Sequence, residues 1–269
     1  MKPLAGRVAV VTGASRGVGR GIALALGDAG ATVYVTGRSV TPGALPGTIG
    51  EVAAEVTARG GYGVAVRCDH ASDEDVDHLF SLVTEREGSL DLLVNNAFAQ
   101  PDAPFMGVPF WEQPLASWDA MHDVGLRSHY AASAHAARMM VRAKSGLIVN
   151  VSSFGASRYA VSVAYGVGKA GVDRLSRDCA KELKPHGVTV VSLWPGIVKT
   201  ERLVAMGEGS PFDLTRAESA LYTGRAVVAL ASDAAVIAKT GKALVVADLA
   251  REYGFTDEDG AQPEAPWPR

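Results

Sequence analysis

The chain has 269 residues, 48% of them apolar, enough to bury one large α/β core. A net charge of -3 and a pI near 6.1 exclude the basic field that a phosphate backbone requires, so nucleic acid is not an expected partner. No apolar run reaches the ~18 residues of a transmembrane segment, the first residues lack a secretory apolar stretch, and two cysteines, Cys68 and Cys179, make no disulfide scaffold; together these point to a reducing, cytoplasmic setting.

In chain order, "RVAVVT" (7–12), "TVYVTG" (32–37), "YGVAVRCD" (62–69), "LDLLVNN" (90–96), "GLIVNVSS" (146–153), "VTVVSLWPG" (188–196) and "KALVVAD" (242–248) read as strands apolar on both faces. That is the pattern of a parallel sheet covered by helices on each side. Between the strands lie helices with legible ends. Thr48 caps "IGEVAAEVTARGG", which Gly60 closes, and Ser72 with Asp75 forms a capping box for the helix that Gly88 ends. Strand and helix alternating throughout predict a single-domain, Rossmann-like, doubly wound sheet of seven strands over residues 1–256. From residue 257 to 269 periodicity is lost, and a mobile or strapping C-terminal extension is expected.

The first strand-to-helix turn, "VVTGASRGVGRG", sets Gly13, Gly17 and Gly19 where bare backbone lets N–H groups approach a pyrophosphate. The spacing is not G-x-G-x-x-G. At the end of the second strand, "VTGRS" has Gly37 where NAD-binding folds carry a carboxylate, followed by Arg38. Arg16 and Arg38 converging on a 2′-phosphate favour NADP(H), all the more because no acid is expected nearby.

Tyr165 and Lys169 stand four apart on one helical face, a spacing that lets an ammonium lower a phenol pKa and a phenol exchange a proton with a carbonyl or alcohol. Ser152 and Ser153 end the preceding strand at the edge where open α/β sheets bind ligands.

With these segments in order, the chain resembles the short-chain dehydrogenase/reductase family over nearly its whole length. Thr12-Gly13 through Gly17-Val18-Gly19 is similar to that family's cofactor turn, Asp69 to the residue meeting adenine, and Asn95-Asn96-Ala97 to its N-N-A-G segment, with Phe98 in place of glycine. Tyr165-x-x-x-Lys169 matches the catalytic pair, and Pro195 to Thr200 the segment along the nicotinamide. The resemblance implies a catalytic trio of Ser153, Tyr165 and Lys169. Tyr165 would be the general acid, Ser153 would hold the carbonyl oxygen, and Lys169 would bind the nicotinamide ribose. Ser153 is preferred over Ser152 because "IVNVSS" then aligns with the usual strand ending. Implied cofactor contacts are Gly13, Ser15, Arg16, Gly17, Val18, Gly19, Arg38, Ser39, Asp69, Asn95, Ala97, Tyr165, Lys169, Pro195, Gly196, Val198 and Thr200.

One position departs from the pattern. In "WDAMHDVGL", inside a stretch of helical period, Gly125 stands where most of the family carries a tetrad asparagine, although glycine in a helix interior costs about 1 kcal/mol. Three readings stay open: a distorted turn leaving room for water on a backbone carbonyl, close helix packing or a kink, and inactivity. "FWEQP", "VGLRSHY", "AYGVGKA", "SLWPGIVKTE" and "ADLAREYGFTDEDG" point to one branch of the family. That branch implies an NADPH-dependent reductase of ketone or aldehyde carbonyls, with steroid or xenobiotic ketones as candidate substrates.

Residues 98–117 and 200–222 are the expected substrate loops, the first rich in aromatic and proline residues. An insertion at 41–50 reads as surface loop, with the adenosine end as its alternative. Six histidines show no metal spacing, and no metal is expected. A homodimer or homotetramer is expected by analogy. Working as an alcohol or hydroxysteroid dehydrogenase in the oxidative direction, or as a non-catalytic NADPH sensor, remains the alternative function.

Overall fold

The computed structural model describes residues 2–210 and 212–265. Seven strands form one all-parallel sheet in the order β3-β2-β1-β4-β5-β6-β7: β1 (Val8–Val11), β2 (Thr32–Gly37), β3 (Tyr62–Arg67), β4 (Leu92–Asn95), β5 (Gly146–Val151), β6 (Val188–Trp194) and β7 (Ala243–Val245). Strand order reverses between β1 and β4, and the cleft at their carboxyl ends is where open α/β sheets bind ligands. Alternate strand residues feed two cores. Ala9 and Val11 pack under α1 (Gly17–Asp28), α2 (Ile49–Ala58), α8 (Ala220–Ser232) and α9 (Val246–Tyr253). Val8 and Val10 pack under α3 (Asp73–Glu87), α5 (Ser128–Ala143) and α6 (Val163–Leu183).

Strand positions match the sequence reading, and the differences lie at ends and edges. β3 is an edge strand and is not apolar on both faces; Tyr62 is largely exposed. β6 stops at Trp194 because Pro195 has no N–H to extend a ladder. Its partner β7 pairs only from Ala243 to Val245, so residues 246–248, expected as strand, open α9 instead.

Thr48 and Glu51 form a reciprocal capping box. The Ser72 hydroxyl likewise accepts from Asp75 N, but the Asp75 carboxylate turns to Asp69 N at 2.7 Å and to Arg67, so that box is half made. Residues 115–143 are one continuous helical rod, α4 (Leu115–His122) joined to α5 through a π-helical turn, Asp123–Arg127. Residues 257–265 strap back onto the domain: Asp257 accepts from Ser219, and the Gln262 amide donates to the carbonyls of Ala250 and Phe255. The remainder of the expected extension, 266–269, lies outside the described residues. Cys68 and Cys179 are both free.

Two buried histidines make the fold acid-sensitive. Burial pushes the His70 imidazole down to about 4 and His129, beside the Lys169 charge, down to about 3. Both are neutral when folded and free to protonate near 6.5 once unfolded, so the unfolded state takes up protons as pH falls and stability falls with it. Urea unfolding at pH 5 is expected to show a loss of about 2 kcal/mol per histidine relative to pH 7. A flat profile over this window contradicts the assignment.

Candidate active site

The glycine turn is pinned from across the sheet. Thr12 Oγ1 accepts from the N–H groups of Asn96 (2.9 Å) and Ala97 (3.0 Å), and Asn96 Nδ2 donates to the carbonyls of Thr12 and Gly13. Gly13 is left-handed with φ +64°, and a Cβ on Gly19 would lie 2.4 Å from both Asn96 Nδ2 and the Gly13 carbonyl oxygen. The turn and the loop after β4 thus fold as one unit. Asn96 is a site residue that the sequence reading quoted without assigning it a contact. Asn95, expected beside the cofactor, is fully buried, and its amide donates to His129 O, Ser133 Oγ and Asn150 Oδ1. Strand alternation aims it into the α5 core, away from the cleft.

At the mouth of α1, Gly17 N donates at 2.7 Å to Glu201 Oε2. Glu201 opens α7 (Glu201–Met206), which Thr200 caps, so a carboxylate from the far loop sits on a helix N-terminal amide suited to an anion. Arg16 reaches outward, donating to Ser39 Oγ (3.0 Å) and to the carbonyls of Gly47 (2.9 Å) and Pro46 (3.2 Å). Arg16, Ser39, Thr41, Leu45 and Arg202 line one hollow, so part of the 41–50 insertion sits beside the Arg16 side chain. Ser15 is buried beneath it, its carbonyl against Gly47. Arg38 lies 3.8 Å from the Asp69 carboxylate, which overturns the expectation of no acid nearby. The cause is the parallel register of β2 and β3, which pairs Gly37 with Arg67 and brings the two strand ends side by side.

At the other end of the cleft, Tyr165 Oη donates to Ser153 Oγ at 3.0 Å. Ser153 Oγ also accepts from Gly155 N, so its own proton is free to point into the cleft. Ser152 is turned away, its hydroxyl donating to the Lys169 carbonyl. Lys169 Nζ is buried and donates to the Val151 carbonyl at 3.0 Å; burial pushes it down to about 8, opposed by Asp173. Burial raises the Tyr165 phenol, with the Ser153 hydrogen bond opposing. The expected lowering of that phenol by the lysine is therefore not what this arrangement gives: Nζ stands 5.8 Å from the ring centroid, and desolvation dominates.

Gly125 lies in the π-helical turn, and a Cβ there would meet Phe98 Cδ2 at 2.8 Å. The distorted turn of the first reading is present as this π-helical turn, and the Phe98 ring fills the space a side chain on residue 125 would take, so close packing accounts for the glycine.

A single cavity of about 320 Å³ joins Val18, Asn96 and the Pro195–Val198 segment to Ser153, Tyr165 and Lys169, with Phe98, Phe105, Met106 and Leu203 as an apolar wall. Its lining comes from both expected substrate loops. Phe110 and Trp111, aromatic residues of the first of these loops, are exposed. Val198 bridges to Glu218, a buried carboxylate that burial pushes up to about 7 and that accepts from Gly196 N and Thr223 Oγ1. A larger cavity, about 480 Å³, lies at the amino-terminal ends of the central strands, where Arg7 and Asp91 are already paired with each other. Among the described residues no helix is long and apolar enough to cross a membrane.

These features have counterparts in known proteins. Residues 7–210 match the short chain dehydrogenase family. Dehydrogenase/reductase SDR family member 1 of Mus musculus is 47% identical over 272 residues, covering 96% of this chain and 85% of the mouse protein. It represents the branch that the sequence segments indicate. A short-chain type dehydrogenase/reductase from Mycobacterium marinum superposes with TM-score 0.77 at 27% identity, covering 90% of this chain and 94% of that one. A metagenomic short-chain oxidoreductase in complex with NADP superposes with TM-score 0.73 at 31% identity, covering 90% and 97%. With the doubly wound sheet, the glycine turn at its switch point and the Tyr165–Lys169 pair all in the family's order, the chain belongs to the short-chain dehydrogenases, oxidoreductases that bind nicotinamide cofactors.

Proposed function

We propose that the protein is an NADPH-dependent reductase of ketone or aldehyde carbonyls, with Ser153, Tyr165 and Lys169 as its catalytic residues. The observation that carries this reading is the single cavity joining the glycine-turn end of the cleft to the Ser153–Tyr165–Lys169 trio under an apolar wall. The residues fit a dinucleotide. The Gly17 amide already takes an anion, the Glu201 carboxylate, and Val18, Pro195, Gly196, Val198 and Thr200 line the channel leading inward, with Gly13 close against Ala97. Arg16, Ser39 and Arg202 face one hollow and Arg38 stands close by; three guanidiniums around the adenosine end support NADP(H) over NAD(H) despite Asp69.

When bound, the reduced nicotinamide supplies a hydride. The chain's own residues supply the rest. Ser153, its oxygen already accepting from Tyr165 and Gly155, directs its proton to a substrate oxygen and orients it. Tyr165, kept protonated by burial, turns its Oη proton from Ser153 to the oxygen that becomes an alcohol. Lys169, anchored on Val151 O, keeps a positive charge behind the phenol and steadies the phenolate left after transfer. The apolar wall favours cyclic or extended hydrocarbon ketones of the steroid or xenobiotic type and excludes water.

The test is oxidation of NADPH and of NADH by the full chain against cyclic ketones, quinones, steroids and aldehydes. Turnover that prefers NADPH is expected. Preference for NADH, or tight NADPH binding without turnover, overturns the reading, and the second outcome favours a cofactor sensor. The exposed apolar side chains of Leu115 and Trp118 on α4 and of Val163 and Val167 on α6 are the surface a second copy would cover, and light scattering is expected to show a homodimer or homotetramer.

A prediction follows from Glu201. Its carboxylate competes for Gly17 N–H with a pyrophosphate oxygen and repels it, so Glu201→Gln is expected to tighten NADPH binding by roughly threefold to tenfold. Fluorescence titration reads this directly. Weaker binding in the variant means that the carboxylate supports the turn.

A further inference from the structure

Phe98 connects Gly125 to the proton-handling pair. Its ring centroid lies 5.3 Å from Lys169 Nζ and 5.9 Å from the centroid of Tyr165, edge-on at 87°. On its other side the ring fills the notch over Gly125, where a Cβ would stand 2.8 Å from Cδ2 and 3.2 Å from Cε2. Phe105, Met121 and Ala164 pack around it. The Lys169 ammonium has three protons, one of them given to the Val151 carbonyl, and on the side of the loop after β4 it meets an aromatic face.

We propose that Phe98 is a positioning residue: its ring face holds the Lys169 ammonium behind Tyr165 and shuts water out on that side, and Gly125 is the notch in the π-helical turn that admits the ring. This rests on the reading of Tyr165 and Lys169 as catalytic. The two positions form one device, because the ring needs the glycine and the glycine is otherwise a weak point in a helix. The other groups facing Lys169 are Tyr165 and Asp173 on its own helix, the buried neutral His129 on α5, and Arg202 across the cavity; His122 on α4 lies over the neighbouring Gly168. Among the described groups, Asp173 favours the charged form, and the ring is the uncharged surface that supports it.

The test measures the lysine itself. Lys169 is titrated by nitrogen-detected NMR in the full chain and in Phe98→Leu and Phe98→Ala, with the pH profile of kcat in parallel. Leucine keeps the bulk and removes the π face, so the ammonium loses support and its titration moves to lower pH, taking the alkaline limb of kcat with it. Alanine admits water, and both move to higher pH. Gly125→Ala is expected to lower kcat at least tenfold with a smaller effect on NADPH affinity, and Gly125→Ala combined with Phe98→Ala is expected to recover most of that loss. Shifts of opposite sign in the two Phe98 variants support the proposal. An unmoved titration, shifts of the same sign, or a double variant no better than Gly125→Ala overturns it. The NMR titration needs no turnover, so an inactive wild type would overturn the catalytic reading while the titration still decides the role of Phe98.

Discussion

Tyr165→Phe is expected to lower kcat for NADPH-dependent carbonyl reduction by about 10²–10⁴-fold while leaving NADPH binding within about threefold. The substitution removes one oxygen. The ring keeps its edge contact with Phe98, and the Lys169–Val151 hydrogen bond does not involve that oxygen. The proton donor alone is lost, so the effect falls on kcat and not on cofactor affinity. Ser153 loses one of its two donors, which frees it to rotate, and Ser153→Ala is expected to cost less than Tyr165→Phe because it removes orientation and leaves the donor in place. Stopped-flow measurement of NADPH oxidation under single turnover separates the two. Full activity in Tyr165→Phe would mean that the proton arrives from another group.

The largest expected effect on stability lies where α1 crosses α8. A Cβ on Gly21 would stand 2.1 Å from the Ala220 carbonyl oxygen, and one on Gly224 would stand 2.5 Å from the Gly21 carbonyl oxygen. Both obstacles are backbone and cannot swing aside as a side chain can. Gly21→Val is therefore expected to cost at least about 3 kcal/mol by overpacking, lowering the urea midpoint. Because α1 carries the glycine turn, prising it from α8 also disturbs the amide that meets Glu201, and weaker NADPH binding accompanies the loss. Gly50→Ala is the contrast. Gly50 is on the exposed face of α2 with nothing within 4 Å of its Cβ position, and alanine there is expected to stabilise by up to about 1 kcal/mol.

What could be read from sequence divides along a physical line. The parallel sheet was legible because β-branched runs such as "VAVV" and "TVYVTG" admit few other uses, and the caps at Thr48 and Gly88 act within four residues of themselves. The Tyr165–Lys169 pair was legible because helix periodicity alone sets both on one face. Contacts between distant segments were not. Nothing near Glu201 says that its carboxylate will turn onto Gly17, 184 residues earlier, and Asp69 reaches Arg38 only through the register of two strands. Gly125 was conspicuous as a glycine in a helix, yet its reason lay at Phe98, which in isolation reads as one aromatic among several in a long loop.

The π-helical turn at Asp123–Arg127 has one more consequence, concerning angular phase. A π turn holds one residue more than the α turn it replaces, and in an α-helix one residue is about 100° of rotation. The wider turn absorbs that residue, so the downstream half keeps the phase it would have in a plain α-helix one residue shorter. Upstream, Trp118 and His122 stack on each other with His122 over Gly168 of α6; downstream, His129 and Ser133 face the Asn95 amide. Wound as plain α-helix with the extra residue kept, one set would turn about 100° away from its partners. Deleting one residue from 123 to 127 would return the rod to plain α-helix with both sets still in place but would draw in the widened turn that houses Gly125 and the Phe98 ring, so the extra residue serves the notch and not the alignment of the rod.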